Sequence, residues 1–185
     1  MPNLRVIDDS ITADLSDRAI CFNKIWGELK DSISVIDANS AISQRSTTFK
    51  GQIKDRTEKL KGFKWIPRSR DMQAQFQIDA QYHCDNKCGT EHIVNFVLGL
   101  NNREAIGTNF LKLEIAALRE IRLATKYELT DDNILGVIIS LDRDLLDKGG
   151  WDPAYADASE YSNAGKTFYR QLLKSSIVSM RIHSF

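Results

Sequence analysis

The feature that most limits what this chain can fold into is the run NILGVIIS, residues 133–140. It is short and apolar almost without a break, the signature of a strand buried on both faces. Such a strand needs partners in a sheet and a helical layer above and below it. The flanking sequence supplies candidates for those layers. Phe22, Ile25, Trp26, Leu29, Ile33 and Ile36 recur at spacings of three and four, which predicts an amphipathic helix over about 17–37 with Ser16 or Asp17 as its cap. Leu111, Ile115, Leu118 and Ile121 form a second stripe, predicting a helix from a cap at Thr108 or Asn109 to about Tyr127 with that stripe on the core. A third helix is expected after the Trp-Asp-Pro loop at 151–153, ending near Leu173.

Period-two alternation marks the other strands. In AQFQIDAQYHC, residues 74–84, Phe76, Ile78, Ala80 and Tyr82 share one face, and Gln75, Gln77, Asp79, Gln81 and His83 share the other. Turn residues follow, and then the β-rich EHIVNFVLGL, so 74–100 reads as a β-hairpin with its tip at 85–90. SSIVSMRIH is expected as a last strand. Residues 39–56 are polar and read as loop, with a short helix in IKDRTEKLK. Helix, hairpin, helix, buried strand, helix, strand: this order predicts an α/β fold, a mixed β-sheet flanked by helices on both sides, and 185 residues suit a single domain over 1–185.

Charge and cysteine usage narrow the functions. No apolar stretch approaches a membrane span, and MPNLRVIDDS lacks a basic segment followed by an apolar one. Three cysteines do not make a disulfide framework, so a cytoplasmic protein is expected. Lysine plus arginine equals aspartate plus glutamate, 25 of each. A nucleic-acid partner would therefore have to meet positive charge gathered locally. Lys50, Lys54, Arg56, Lys59, Lys61, Lys64, Arg68 and Arg70 do gather in one span, interrupted by Phe63 and Trp65. Lys59, Lys61, Lys64, Arg68 and Arg70 are candidates for phosphate contact, with solvated surface charge as the plainer alternative. Lys112, Arg119, Arg122 and Lys126 read as a solvated helix face.

HCDNKCGTEH, residues 83–92, concentrates possible metal ligands. Cys84, Cys88 and His92, with His83, are the residue types of a zinc tetrahedron. Their spacing is not the usual one, and His83 and Cys84, adjacent on a strand, point to opposite faces. Hairpin-tip residues without special chemistry, or a reactive thiol, are the alternatives. Metal-assisted phosphodiester hydrolysis would need an acid on one hairpin strand and an acid-x-Lys/Glu/Gln pattern on the next, because alternate positions aim both at one Mg²⁺. Asp79 suits the first role; Glu91 and Asp85 lie near the tip.

VLGLNNREAIGTNFLKLEIAAL followed by NILGVIISLDRDLL resembles the core of the BamHI/BglII/BstYI group of type II restriction endonucleases, members of the PD-(D/E)XK nuclease fold. Leu100, Asn101, Asn102, Arg103 and Glu104 match that group's apolar-Asn-Asn-basic-acid segment without a gap, and Leu135 to Ser140 match its buried strand. KIWGELKDSISVIDA is similar to its N-terminal helix, with Glu28 where an acid is often found, and GFKWIPR resembles the segment before its hairpin. The likeness covers roughly residues 20–145. It implies a restriction-endonuclease-like domain and a homodimer clasping double-stranded DNA. It also implies contacts from Asn101, Asn102 and Arg103, and Mg²⁺-dependent cleavage with Asp79, Glu91, Asp85 and Glu28 as candidate catalytic residues and Asp79 and Glu91 as metal ligands. In register, the two catalytic positions of the second strand fall on Val97 and Gly99, which neither bind a metal nor move a proton. Three ways out are open. The hairpin shifts so that Glu91 or Asn95 faces Asp79; the site migrates to Asp79, Glu91 and Glu104 with Glu28; or cleavage is lost and the fold serves as a DNA- or protein-binding module.

Overall fold

The run at 133–140 lies at the middle of a six-stranded sheet, where all eight residues from Ile134 to Leu141 are buried. The computed structural model describes residues 5–10, 20–36, 46–67, 76–84, 92–123, 129–130, 133–169, 171–173 and 176–183. Its strands are β1 (Arg5–Ser10), β2 (Phe63–Trp65), β3 (Ala80–Cys84), β4 (His92–Leu98), β5 (Ile134–Leu141) and β6 (Ser176–His183), and they lie in the order β1-β6-β5-β4-β3-β2. The centre, β4-β5-β6, is parallel; β3 runs antiparallel to β4, β2 to β3, and β1 to β6. Helices α1 (Ile20–Ser34), α2 (Ser46–Thr57), α3 (Ile106–Leu123), α4 (Arg143–Lys148) and α5 (Ala158–Ala164) complete it.

Alternation along the parallel strands divides the core into two sides. Val94, Phe96 and Leu98 of β4, with Val137 and Ile139 of β5 and Val178, Met180 and Ile182 of β6, pack with α1, α2 and α4. Val97, Ile138 and Ile177 face the other way, against Phe110 and Leu113 of α3 and Tyr161 of α5. The result is a mixed α/β sheet with helices on both faces, as the buried run requires. Among the described residues, no helix is long and apolar enough to cross a membrane.

The first helical stripe is buried in full: Phe22, Ile25, Trp26, Leu29, Ile33 and Ile36 all pack in the core. Its expected caps, Ser16 and Asp17, lie outside the described residues, as does the hairpin tip at 85–90. Three readings need correction. Part of the segment 39–56 is helix, not loop. Phe49, Ile53 and Thr57, spaced by four, turn one face of α2 inward, and the Thr57 hydroxyl donates to Ile53 O at 2.8 Å and accepts from Trp65 Nε1 at 3.0 Å. Two apolar anchors in a polar sequence give a pattern too sparse to stand out.

The first hairpin strand starts at Ala80, because the chain bends at Asp79. Ala80 and Tyr82 pack on the α1 side, whereas Ile78 crosses to the α3 side and Phe76 is exposed. The third correction concerns α3, which begins at Ile106, so Thr108 and Asn109 lie inside it. Its buried residues are Asn109, Phe110, Leu113 and Ala117, while Leu111, Ile115 and Leu118 are exposed. Close approach decides this, since Leu113 sits over Gly136, where a Cβ would meet the leucine at 3.1 Å. In addition, β1 forms an outer edge strand, antiparallel to β6, in a segment that carried no structural expectation.

Candidate functional site

Chemistry-bearing side chains collect where β4, β5 and β6 end. Asp79, just before β3, donates its N–H to Phe96 O at 2.9 Å and so lies beside Val97 at the end of β4. The register pairs Asn95 with Gln81, two residues from Asp79, so the hairpin is not shifted to set Asn95 against it. The Asp79 carboxylate accepts the Leu98 N–H through Oδ2 at 2.8 Å. Val97 is fully buried. Gly99 faces the ring of Tyr161, and a Cβ there would lie 2.9 Å from two ring carbons and 3.0 Å from Ile138 Cγ2.

Tyr161 thus occupies the space into which a side chain at position 99 would extend. Its hydroxyl accepts the Asn109 amide N–H at 2.7 Å. Burial above all, helped by the carboxylates of Asp79 and Glu160 and opposed by the Asn109 hydrogen bond, pushes the Tyr161 phenol well above its ordinary value. It stays protonated and neutral. The position where the resemblance places a second catalytic group is closed by a neutral aromatic ring.

On the same face of β3, Gln81 donates through Nε2 to Asn95 Oδ1 at 2.9 Å and to Glu120 Oε1 of α3 at 3.1 Å, and Gln81 Oε1 lies 2.7 Å from His83 Nε2. This polar strip positions α3 on the hairpin. His92 faces the opposite side, its ring edge-on to Phe22 at 5.2 Å. Glu28 lies on α1, within 3.9 Å of Lys24. Glu91, Asp85, Cys88, Arg68 and Arg70 lie outside the described residues, as does the side chain of Cys84.

The Asn-Asn-Arg-Glu segment leaves β4 and is pinned by the loop after α4. Asn102 bridges to Tyr155, Ala156 N donates to Asn101 O at 2.9 Å, and Arg103 N donates to Ala154 O at 2.9 Å. Lys50 Nζ reaches Asn101 Oδ1 at 3.5 Å. The Arg103 guanidinium pairs with Glu160 through Nε and donates through Nη1 to Pro153 O at 2.7 Å. Beneath it Arg143 holds Asp157 Oδ2 at 2.9 Å and Glu160 Oε2 at 3.3 Å. Asp157 also caps α5, accepting the Glu160 N–H, while Glu160 accepts the Asp157 N–H in return. Burial acts upward on the Asp157 carboxyl, but the hydrogen bonds from Ser159, the Glu160 N–H and Arg143 outweigh it and hold the group below its usual range. Arg103 is therefore a built part of this edge.

Beyond it stands a group that the sequence did not single out. Asp142, Asp144 and His183 offer ligand atoms within 4.8 Å of one another and can hold a metal ion. Asp79 belongs to no such group of three among the described residues. Asp142 faces Arg181 Nε through Oδ1 at 3.2 Å and pairs with His183 Nδ1 through Oδ2. Burial raises its carboxyl above the usual range, Asp144 and Asp157 adding to this, against the opposing pull of His183 and Arg181. Such a carboxylate gains by taking up positive charge. Asp142 and Asp144 were visible as the end of ISLDRDLL, but only the parallel pairing of β5 and β6 brings His183 to them.

Fold and edge together define a mixed α/β domain with a polar, ion-paired rim at the carboxyl ends of its parallel strands. Ligands of open α/β sheets gather at such a rim. No protein-family model matches the chain, and no curated protein does.

Proposed function

We propose that the chain is a restriction-endonuclease-like protein that binds duplex DNA and does not cut it from the Asp79 position. The observation that carries the DNA reading is the exposed basic run. Lys54, Arg56, Lys59, Lys61 and Lys64 all face solvent along the end of α2, the turn after it and the edge strand β2. Residues 50–70 hold eight basic residues against two acidic ones in a chain of zero net charge. Backbone phosphates respond to such local charge whatever the total. The order of elements supports the nuclease-like scaffold: β4 runs into Asn101-Asn102-Arg103-Glu104, then α3, then the buried parallel strand β5. A homodimer is part of the same reading, since a two-fold protein suits a two-fold site.

The residues described around Asp79 do not fit the magnesium that the resemblance implies there. Val97 and Gly99 carry no ligand, Tyr161 fills the space beside Gly99, and one Asp79 oxygen is taken by the Leu98 N–H. The test incubates mixed duplex DNA with the protein and Mg²⁺. The expected result is DNA retained in a mobility shift and recovered uncut, with Asp79→Ala behaving as wild type. Cleavage abolished by Asp79→Ala would overturn the loss of cutting, and failure to retain DNA at low salt would overturn the binding.

The cluster at Asp142, Asp144 and His183 favours a second reading, metal-dependent hydrolysis from the β5–β6 end of the same rim. Two carboxylates suit Mg²⁺, although an imidazole is not the ligand that a hard cation prefers, and Arg181 already competes for Asp142. Cutting that survives Asp79→Ala and disappears in Asp144→Asn would establish it over the first.

A further inference from the structure

At the carboxyl ends of β5 and β6 the fold gathers donor atoms that it does not itself use in full. Val178, Met180 and Ile182 pack on the α1 side, so alternation turns Arg181 and His183 to the other side of the sheet. Asp142, whose N–H donates to Ile182 O, continues β5 and shares that side with Ser140, the register partner of Arg181. Asp142 stands at the N-cap of α4 in extended backbone, yet its side chain makes no cap hydrogen bond. Its two oxygens turn instead to Arg181 and His183. Asp144, in the first turn of α4, is exposed and lies 3.8 Å from Lys148. Two buried atoms on this side of the strands have no hydrogen-bond partner among the described residues: His183 Nε2 and Ser140 Oγ, the serine being 0% exposed. Buried polar atoms in that state point to a water or an ion that completes them.

We propose that Asp142, Asp144 and His183 bind one divalent transition-metal ion, of the zinc or manganese kind, which takes the place of Arg181 at Asp142 and fastens the end of β6 to the turn between β5 and α4. Their ligand atoms already lie within 4.8 Å of one another. Two carboxylates and an imidazole make a mixed oxygen and nitrogen set, which suits these ions better than magnesium or calcium, whose ligands are oxygen throughout. Three protein ligands leave room for water on the ion, unlike the closed four-ligand site of a structural zinc. Such a water is the kind of partner that the Ser140 hydroxyl lacks. Since β1 is hydrogen-bonded to β6 at the sheet edge, an ion at His183 would steady that edge as well. The inference goes beyond the hydrolysis reading of the same cluster, because it needs neither DNA nor a reaction and stands if no cutting is found.

Titration of the full chain, stripped of metal with a chelator, with zinc, manganese and magnesium chlorides tests it by calorimetry and thermal unfolding. Expected are one zinc per chain, weaker binding of manganese, and magnesium weaker than zinc by at least about 100-fold. Zinc at a hundredfold excess over its dissociation constant should raise the unfolding midpoint by about 5–10 °C. Asp144→Asn, at an exposed position where folding is not at risk, and His183→Gln should each weaken zinc binding by at least about 100-fold, since even partners behind the ligands cost roughly 10–100-fold. Arg181→Gln, which removes the competing guanidinium, should tighten it about tenfold. Zinc that binds equally well to Asp144→Asn and His183→Gln sits elsewhere in the chain and overturns the site, as does a wild type that binds no zinc or manganese at millimolar concentration. Magnesium binding as tight as zinc overturns the choice of ion, and an Arg181→Gln variant that binds no more tightly overturns the exchange with Arg181.

Discussion

Gly99 and Tyr161 decide between them whether a side chain fits at position 99. A carboxylate at position 99 would have to displace a fully buried ring that is itself fixed by Asn109. Placing an acid there should therefore cost stability. Gly99→Glu is expected to lower unfolding free energy by about 1–3 kcal/mol through overpacking, and Tyr161→Ala, which empties a fully buried ring site, by about 3–5 kcal/mol. Urea melts of the three proteins check this; a Gly99→Glu variant as stable as wild type would mean that the ring yields freely. Tyr161→Phe probes the same spot from the other side, because it leaves the buried Asn109 amide without its acceptor, at a cost of about 1–3 kcal/mol.

At the scale of elements, α5 depends on its cap. Asp157 and Glu160 satisfy each other's backbone N–H groups, and Arg143 joins both to the loop that pins Asn101 and Arg103. The folded state holds the Asp157 carboxyl below its ordinary value, so its charge stabilises the fold above that value. The contribution fades as pH falls through the lower folded pKa. Asp157→Asn should accordingly be less stable than wild type at pH 7, with the gap closing below the ordinary carboxyl value of 3.8. Chemical denaturation at pH 7, 5 and 3 measures it, and a gap that stays constant over that range would contradict the assignment. Replacing the cap outright with Asp157→Ala should cost about 1–2 kcal/mol.

Elements also show what could be read from sequence. The buried strand β5 was legible because its apolar run is nearly unbroken, and the stripe of α1 because its apolar residues keep one helical period. The face of α3 was not, since Leu111, Ile115 and Leu118 make a stronger stripe than Phe110, Leu113 and Ala117, and only the fit of Leu113 over Gly136 decides which side meets the sheet. The candidate site was legible in part. Asp79 and the Asn-Asn-Arg segment, both singled out in the sequence, stand near the ends of the parallel strands, but Tyr161, Asn109, Asp157 and His183 reach that region from elsewhere in the chain, and no local spacing announces such convergence.

For the whole molecule, zero net charge hides a local gathering of exposed basic side chains between Lys54 and Lys64. Phosphate contacts through the basic run predict binding that weakens steeply with salt, whereas a protein partner recognised by shape would respond less. The account turns on whether those lysines meet phosphate. The most direct measurement is the duplex dissociation constant as a function of salt, for wild type and for Lys59→Glu with Lys61→Glu and Lys64→Glu. A log–log slope shallower by about 3 per chain in the triple variant is predicted, at about 0.9 for each lost phosphate contact; identical affinities and identical slopes would contradict the account.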